Sequence, residues 1–101
     1  WTIIGFTRQG SKVELNLQND FEGREIDFAN FIFWDVKAIL VEGEPFQGAL
    51  MQAADGEILG LDFGANQIEM VIAWNDFQTR RSFTNVCCIH FAEYQFSSVS
   101  V

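Results

Sequence analysis

The side chains with the greatest catalytic potential are Cys88 and His90, near the end of the chain. Residues two apart on a strand share a face, so this spacing puts a thiol beside an imidazole, as in a nucleophile with its base. The chain has one His, and no Gly-rich elbow accompanies the pair. A histidine in the core or at a sheet edge is the better interpretation. The sequence predicts no enzyme and no catalytic residue.

Metal binding is disfavoured by the same residues. A zinc site needs about four His or Cys ligands, whereas Cys87 and Cys88 would point to opposite faces of a strand and cannot easily form a disulfide with each other. Asp55-Gly56-Glu57 followed by Asp62 is explained more simply by a hairpin tip than by a calcium loop. The sequence therefore predicts no metal and no cofactor, and free thiols favour a reducing, cytoplasmic location.

Acidic residues are concentrated in the middle of the chain. There are 14 Asp and Glu against 6 Lys and Arg, for a formal net charge of −8. This balance disfavours binding to nucleic acid or to an anionic membrane. No Lys or Arg occurs between Lys37 and Arg80, and that stretch contains Glu42, Glu44, Asp55, Glu57, Asp62, Glu69 and Asp76. Two interpretations stay open: ordinary solvation of exposed turns, or an electronegative face that attracts a basic protein.

Apolar residues in the same region offer a centre for such a face. Phe46, Leu50 and Met51 either close one end of the core or form the apolar centre of an interface with an acidic rim. The candidate partner-binding residues are therefore Glu42, Glu44, Phe46, Asp55, Glu57 and Asp62.

Alternation of apolar and polar residues predicts the elements that position these side chains. Lys12 to Gln18 alternates with the two-residue period of a half-buried strand, and turns are expected at Gln9-Gly10-Ser11 and Gly64-Ala65-Asn66. Two long extended stretches, 24–41 and 80–96, follow later. In the first, the apolar pattern changes phase, which predicts a bulge or bend near 29–31 and again near 34–35.

The two halves of the chain resemble each other. Residues 3–17 align with 58–72 at an offset of 55, and a contraction then matches Phe33-Trp34-Asp35-Val36 to Phe83-Thr84-Asn85-Val86. The sequence predicts a single all-β domain over 1–101, built from two antiparallel three-stranded meanders as pseudo-repeats of about 2–41 and 57–96. The meanders would form a sandwich or a curved sheet. Within the connector, 42–56, residues 44–54 have the composition of a short helix with Pro45 in its first turn.

This repeated pattern, with Phe33-x-Asp35-Val36 and Phe83-x-Asn85-Val86 on the long strands, resembles small all-β bacterial proteins grouped with the immunity proteins of polymorphic toxin systems. The similarity spans nearly the whole chain outside residues 44–54. The resemblance implies a non-enzymatic bacterial protein that blocks a partner, and it transfers no catalytic residue.

The function expected from the sequence is a protein-binding domain, in its specific form an immunity-type inhibitor of a basic partner. Two alternatives stay open: a small-ligand or carbohydrate-binding β-module, and a homo-oligomeric structural protein that pairs through open strand edges.

Overall fold

The structure is a computed structural model that describes residues 1–20, 26–46, 55–76 and 81–100. Of Asp20, Asp55, Asp76, Arg81 and Ser100 it describes the backbone. These parts of the chain form β1 (Thr2–Gln9), β2 (Lys12–Asp20), β3 (Ile26–Trp34), β4 (Ala38–Val41), β5 (Glu44–Pro45), β6 (Asp55–Phe63), β7 (Gln67–Asp76), β8 (Arg81–His90) and β9 (Glu93–Ser100). The all-β, antiparallel prediction is confirmed. Among these residues no helix could cross a membrane.

All the strands belong to one sheet with the order β5-β4-β8-β7-β6-β1-β2-β3-β9. Strands β1–β3 and β6–β8 are two meanders, joined where Thr2 and Ile3 pair with Glu57 and Gly56. The strand that follows each meander pairs with the last strand of the other meander: β4 lies beside β8, and β9 lies beside β3. Each long stretch predicted as a single strand is therefore two strands that lie in different halves of the strand order.

The break between β3 and β4 lies at the predicted bend. Asp35 adopts a φ of 52°, and the amides of Val36 and Lys37 donate to the carbonyl oxygens of Ser11 and His90, each at 2.8 Å. The bulge predicted near 29–31 is wrong, because β3 pairs with β2 and β9 without a register shift. The apolar phase changes there because both faces of β3 carry large apolar residues.

Each meander contains one bulge in its first hairpin. The register of β1 against β2 shifts between Ile3 and Gly5, and that of β6 against β7 shifts between Ile58 and Gly60. The extra residues, Ile4 and Leu59, are exposed. The two bulges therefore lie 55 residues apart, at the offset that aligns the halves of the sequence.

The predicted equivalence of Phe33 and Phe83 is wrong. Phe33 pairs with Val13 and is fully buried, whereas Phe83 pairs with Trp74 at the other end of its strand and is 49 % exposed. The 55-residue offset aligns Val13 with Ile68. Because Val13 pairs with Phe33 and Ile68 pairs with Ile89, the residue equivalent to Phe33 is Ile89. The six-residue contraction aligns similar residue types, but it implies a register of β8 against β7 that differs from the observed one.

The buried side chains of both meanders meet in one core on the inner face of the curved sheet, the face that carries Leu15, Phe33, Met70 and Ile89. We call the opposite face, which carries Asn30 and Cys88, the outer face. In the connector, Glu44 and Pro45 form β5 rather than a helix. The rest of the predicted helix, including Leu50 and Met51, lies outside the described residues.

Candidate functional site

The thiol and imidazole singled out by spacing do lie together, on the outer face of β8. Sγ of Cys88 is 3.5 Å from Nε2 of His90. Burial, and then the carboxylate of Glu69, raises the pKa of the Cys88 thiol above its ordinary value. A thiol with a raised pKa carries little thiolate at neutral pH, which is the opposite of what a nucleophile needs.

The neighbouring thiol, Cys87, points into the core. Burial, and then Cys88, raises the pKa of Cys87 to about 12. Both cysteines are free, as their opposite orientations predict. Within the ranges that the structure describes, no group of three or more His, Cys, Asp and Glu residues could hold a metal ion.

The six candidate partner-binding residues divide into two groups. Glu42, Glu44 and Phe46 lie at the β4–β5 edge of the sheet. Asp55, Glu57 and Asp62 lie on β6, and β8 and β7 separate the two groups in the strand order. The structure therefore does not bring the six residues together in one patch.

The group at the β4–β5 edge has structural contacts. Oε1 of Glu42 accepts a hydrogen bond from the amide of Val86 at 2.7 Å, and its own amide donates to the Val86 carbonyl oxygen at 2.9 Å. Phe46 is half-buried and packs against the core, as the core-closing interpretation of the sequence expects. Glu44 is exposed.

The group on β6 borders an apolar groove. Glu57 and Asp62 are exposed on the outer face, while their neighbours Ile58, Leu61 and Phe63 point to the inner face. Asp62 pairs directly with Glu69 on β7, so two carboxylates lie side by side. The side chain of Asp55 is not described.

The groove lies between β6 and β9 and holds about 260 Å³. No Cα atom of β6 comes within 8 Å of one of β9, so these two strands do not pair with each other. The groove is lined by Trp1, Leu17, Ala29, Phe31, Ile58, Leu61 and Phe96. Its volume is slightly below the roughly 300–1,000 Å³ of small-molecule sites.

Aromatic rings form the floor and one end of the groove. The centroid of Phe31 lies 4.7 Å from that of Phe96 and 5.7 Å from that of Phe63, which is in turn 5.0 Å from Tyr94. Tyr94 and Phe96 are each 50 % exposed. Together with Trp1, Leu61 and Phe63, they form a contiguous patch of exposed apolar side chains.

The strands that form the walls carry acids and no cations. Glu57 and Asp62 on β6 and Glu93 on β9 are exposed, and neither β6, β7 nor β9 contains Lys or Arg. An apolar centre beside acidic residues is the anatomy of a surface that binds an apolar and basic partner.

The contribution of β9 to this groove was not predicted from the sequence. Tyr94-Gln95-Phe96-Ser97 alternates as a half-buried strand does, but the sequence alone places it in one extended stretch with residues 80–90. The signal that could have separated them is the polar Glu93 two residues after the buried Phe91, which restarts the alternation.

No family model, no curated protein and no solved structure matches this chain.

Proposed function

We propose that this chain is a non-enzymatic protein-binding domain whose partner presents apolar and basic side chains to the groove between β6 and β9. The observation that carries the proposal is the exposed inner face at this groove, where five large apolar side chains lie beside three exposed acids and the wall strands β6 and β9 contain no Lys or Arg. Contiguous exposed apolar patches of this kind mark interaction sites.

The charge of the whole chain supports a basic partner. A net charge of −8 repels a second copy of the chain and attracts cationic proteins, and a charged rim speeds their encounter. The resemblance to immunity proteins supports the more specific role of an inhibitor that covers a basic toxin domain. That role is tested by titrating the chain with the product of the adjacent gene at increasing salt.

The binding test uses a set of seven-residue peptides in which Lys alternates with Phe, Leu or Val, followed by tryptophan fluorescence because Trp1 lines the groove. We expect binding that weakens as salt is added, and no binding of the same peptides with Glu in place of Lys. Absence of binding by every Lys peptide, or equal binding of the Glu peptides, contradicts the proposal.

Matched variants locate the site. Phe96→Ala should weaken binding by about tenfold, and Asp62→Asn by about two- to fivefold. Val99→Ala, on the outer face of the same strand, and Glu44→Gln, at the β4–β5 edge, should leave binding unchanged. Loss of binding in Glu44→Gln but not in Asp62→Asn would move the site to the β4–β5 edge.

Carbohydrate binding is the second candidate, because Tyr94 and Phe96 are half exposed on a single strand. Sugars bind to flat, accessible ring faces, whereas Tyr94 stacks on Phe63 at 5.0 Å. The same fluorescence titration with a panel of oligosaccharides distinguishes this candidate from the first.

We also infer that the two meanders arose by duplication. The bulges lie 55 residues apart. The strands that follow the two meanders also correspond, because β4 pairs with β8 from Ala38 and β9 pairs with β3 from Glu93. Ala38 and Glu93 are again 55 residues apart. Unrelated meanders would share the alternation of apolar and polar residues, but they have no reason to share both the position of the bulge and the pairing of the strand that follows.

A further inference from the structure

The free edge of β9 is the feature from which the mode of partner binding can be inferred. On one side β9 pairs with β3 from Glu93 to Ser100. On its other side no strand of the described chain is paired with it. An unpaired edge presents a row of amides and carbonyl oxygens that can pair with another chain.

At the edge of the sheet that corresponds to the free edge of β9, a further strand is already paired. By the 55-residue offset β4 corresponds to β9, and the outer edge of β4 is paired with β5. The amide of Phe46 donates to the carbonyl oxygen of Ile39 at 2.8 Å, and the Phe46 side chain packs on the core. At this position a short extended segment supplies both backbone hydrogen bonds and an apolar side chain.

The inner-face side chains near β4 are much less exposed than the corresponding side chains near β9. Ile39 is 2 % exposed, whereas Tyr94, which corresponds to it, is 50 % exposed. Likewise Phe6 is 9 % exposed, and its counterpart Leu61 is 40 % exposed. The inner face is therefore covered near β4 and uncovered near β9.

The walls of the groove, β6 and β9, are too far apart to pair with each other. Paired strands lie about 4.7–4.9 Å apart, so a strand between two others separates them by roughly 10 Å. The Cα atoms of β6 and β9 are everywhere more than 8 Å apart, which excludes direct pairing of these two strands.

We propose that the partner binds as an extended segment that pairs antiparallel with β9, as β5 pairs with β4, and alternates apolar with basic residues. This rests on the proposed function of the groove. Successive side chains of a strand point to opposite faces. Apolar ones therefore enter the groove beside Tyr94 and Phe96, and basic ones lie on the outer face near Glu93 and Asp62.

The pairing of β4 shows which backbone groups of β9 take part. The amide of Glu42 donates to the carbonyl oxygen of Val86 on β8, whereas the carbonyl oxygen of Ile39 faces β5 and accepts from Phe46. Carried over by the 55-residue offset, this alternation puts the amides of Tyr94 and Phe96 at the free edge. The amides of Glu93 and Gln95 are directed to β3.

The test is amide hydrogen exchange by NMR on the full chain, alone and with the Lys-alternating peptides. Added peptide should slow exchange at Tyr94 and Phe96 by about tenfold or more, because their amides become hydrogen-bonded. The amides of Glu93 and Gln95, already bonded within the sheet, serve as internal controls and should keep their rates.

The outcomes separate this inference from the proposed function. If a peptide binds but Tyr94 and Phe96 keep their free exchange rates, strand addition is overturned and side-chain docking in the groove remains. If no peptide binds, both fail. Slowing at Tyr94 and Phe96 on raising the protein concentration alone would identify a second copy as the occupant and overturn the peptide-binding mode.

Discussion

Gly56 is required by the position of one indole ring. It pairs with Trp74 across β6 and β7, and a Cβ atom at Gly56 would come within 2.5 Å of Cζ3 of that ring. Gly56→Ala should therefore force the ring or strand to move and lower the free energy of unfolding by about 1–3 kcal/mol. Urea unfolding measures this effect.

Gly60→Ala is the matched control on the same strand. Its added methyl group would have nothing closer than Cγ2 of Val71 at 4.0 Å, so the stability should stay within about 0.5 kcal/mol. Equal losses in the two variants would show that contact with Trp74 is not the reason for Gly56.

Cys87 makes stability dependent on pH in the alkaline range. Burial, and then Cys88, raises its pKa from 9.0 to about 12, so the unfolded chain releases this proton at a lower pH than the folded chain. The stability contributed by the neutral buried thiol is complete below about pH 9 and is lost as the pH rises toward 12.

We therefore expect the urea midpoint to fall between about pH 9 and pH 10.5, and to fall less steeply in Cys87→Ala. Because Cys87→Ala also removes buried volume, the slope with pH is the readout rather than the absolute stability. Parallel slopes for the two proteins would contradict the assignment.

At the scale of elements, β2 and β3 are joined on the outer face by a network of polar side chains. Nδ2 of Asn30 donates to Oε1 of Glu14 at 2.8 Å and to Oδ1 of Asn16 at 2.6 Å. Asn30→Asp removes both donors and adds a carboxylate beside Glu14. The free energy of unfolding at neutral pH should fall by about 1–3 kcal/mol.

Adding Glu14→Gln to Asn30→Asp is the control, because a Gln amide can donate to the new carboxylate. Part of the lost stability should return. If the double variant is no more stable than Asn30→Asp, then repulsion between the two carboxylates is not the cause of the loss.

The pairing of β6 with β7 places Asp62 directly opposite Glu69. Like charges directly opposite each other on neighbouring strands are destabilising. Asp62→Asn should raise the free energy of unfolding by about 0.2–1 kcal/mol while it weakens binding of the Lys peptides. A variant that loses stability instead would show that Asp62 has a favourable contact within the folded chain.

At the scale of the whole molecule, the exchange of β4 and β9 between the meanders makes one unit of the two halves. The core includes side chains of both, such as Leu15 and Met70, and neither meander carries its own fourth strand. We expect unfolding in urea to be two-state, with coincident transitions by far-UV circular dichroism and by tryptophan fluorescence. Separate transitions would indicate that the meanders fold independently.

The whole molecule also decides where the acidic residues act. The sequence places its acids in one continuous stretch, but the strand order separates Glu42 and Glu44 from Glu57 and Asp62. Glu93, which lies outside that stretch, joins the wall of the groove. Proximity along a chain does not carry over to a sheet in which neighbouring strands come from distant segments.

Local patterns predict the β-structure, the hairpin turns and the bend at Asp35, because side-chain alternation and turn residues act over a few positions. They predict neither β5 nor the separation of β8 from β9. The same patterns identified the buried face of β2 and the opposite orientations of Cys87 and Cys88. They also gave the 55-residue offset at which the two bulges lie.

Tertiary structure alone decided which strands are neighbours. The register of β8, the pairing of β4 with β8 and of β9 with β3, and the groove beside β9 all depend on contacts between residues far apart in the chain. Such pairings are selected by how the apolar faces of both meanders bury one another, and no local pattern encodes that choice. The spacing of Cys88 and His90 along the chain is enough to bring them together, whereas the apolar groove between β6 and β9, which carries the proposed function, forms only in the folded sheet.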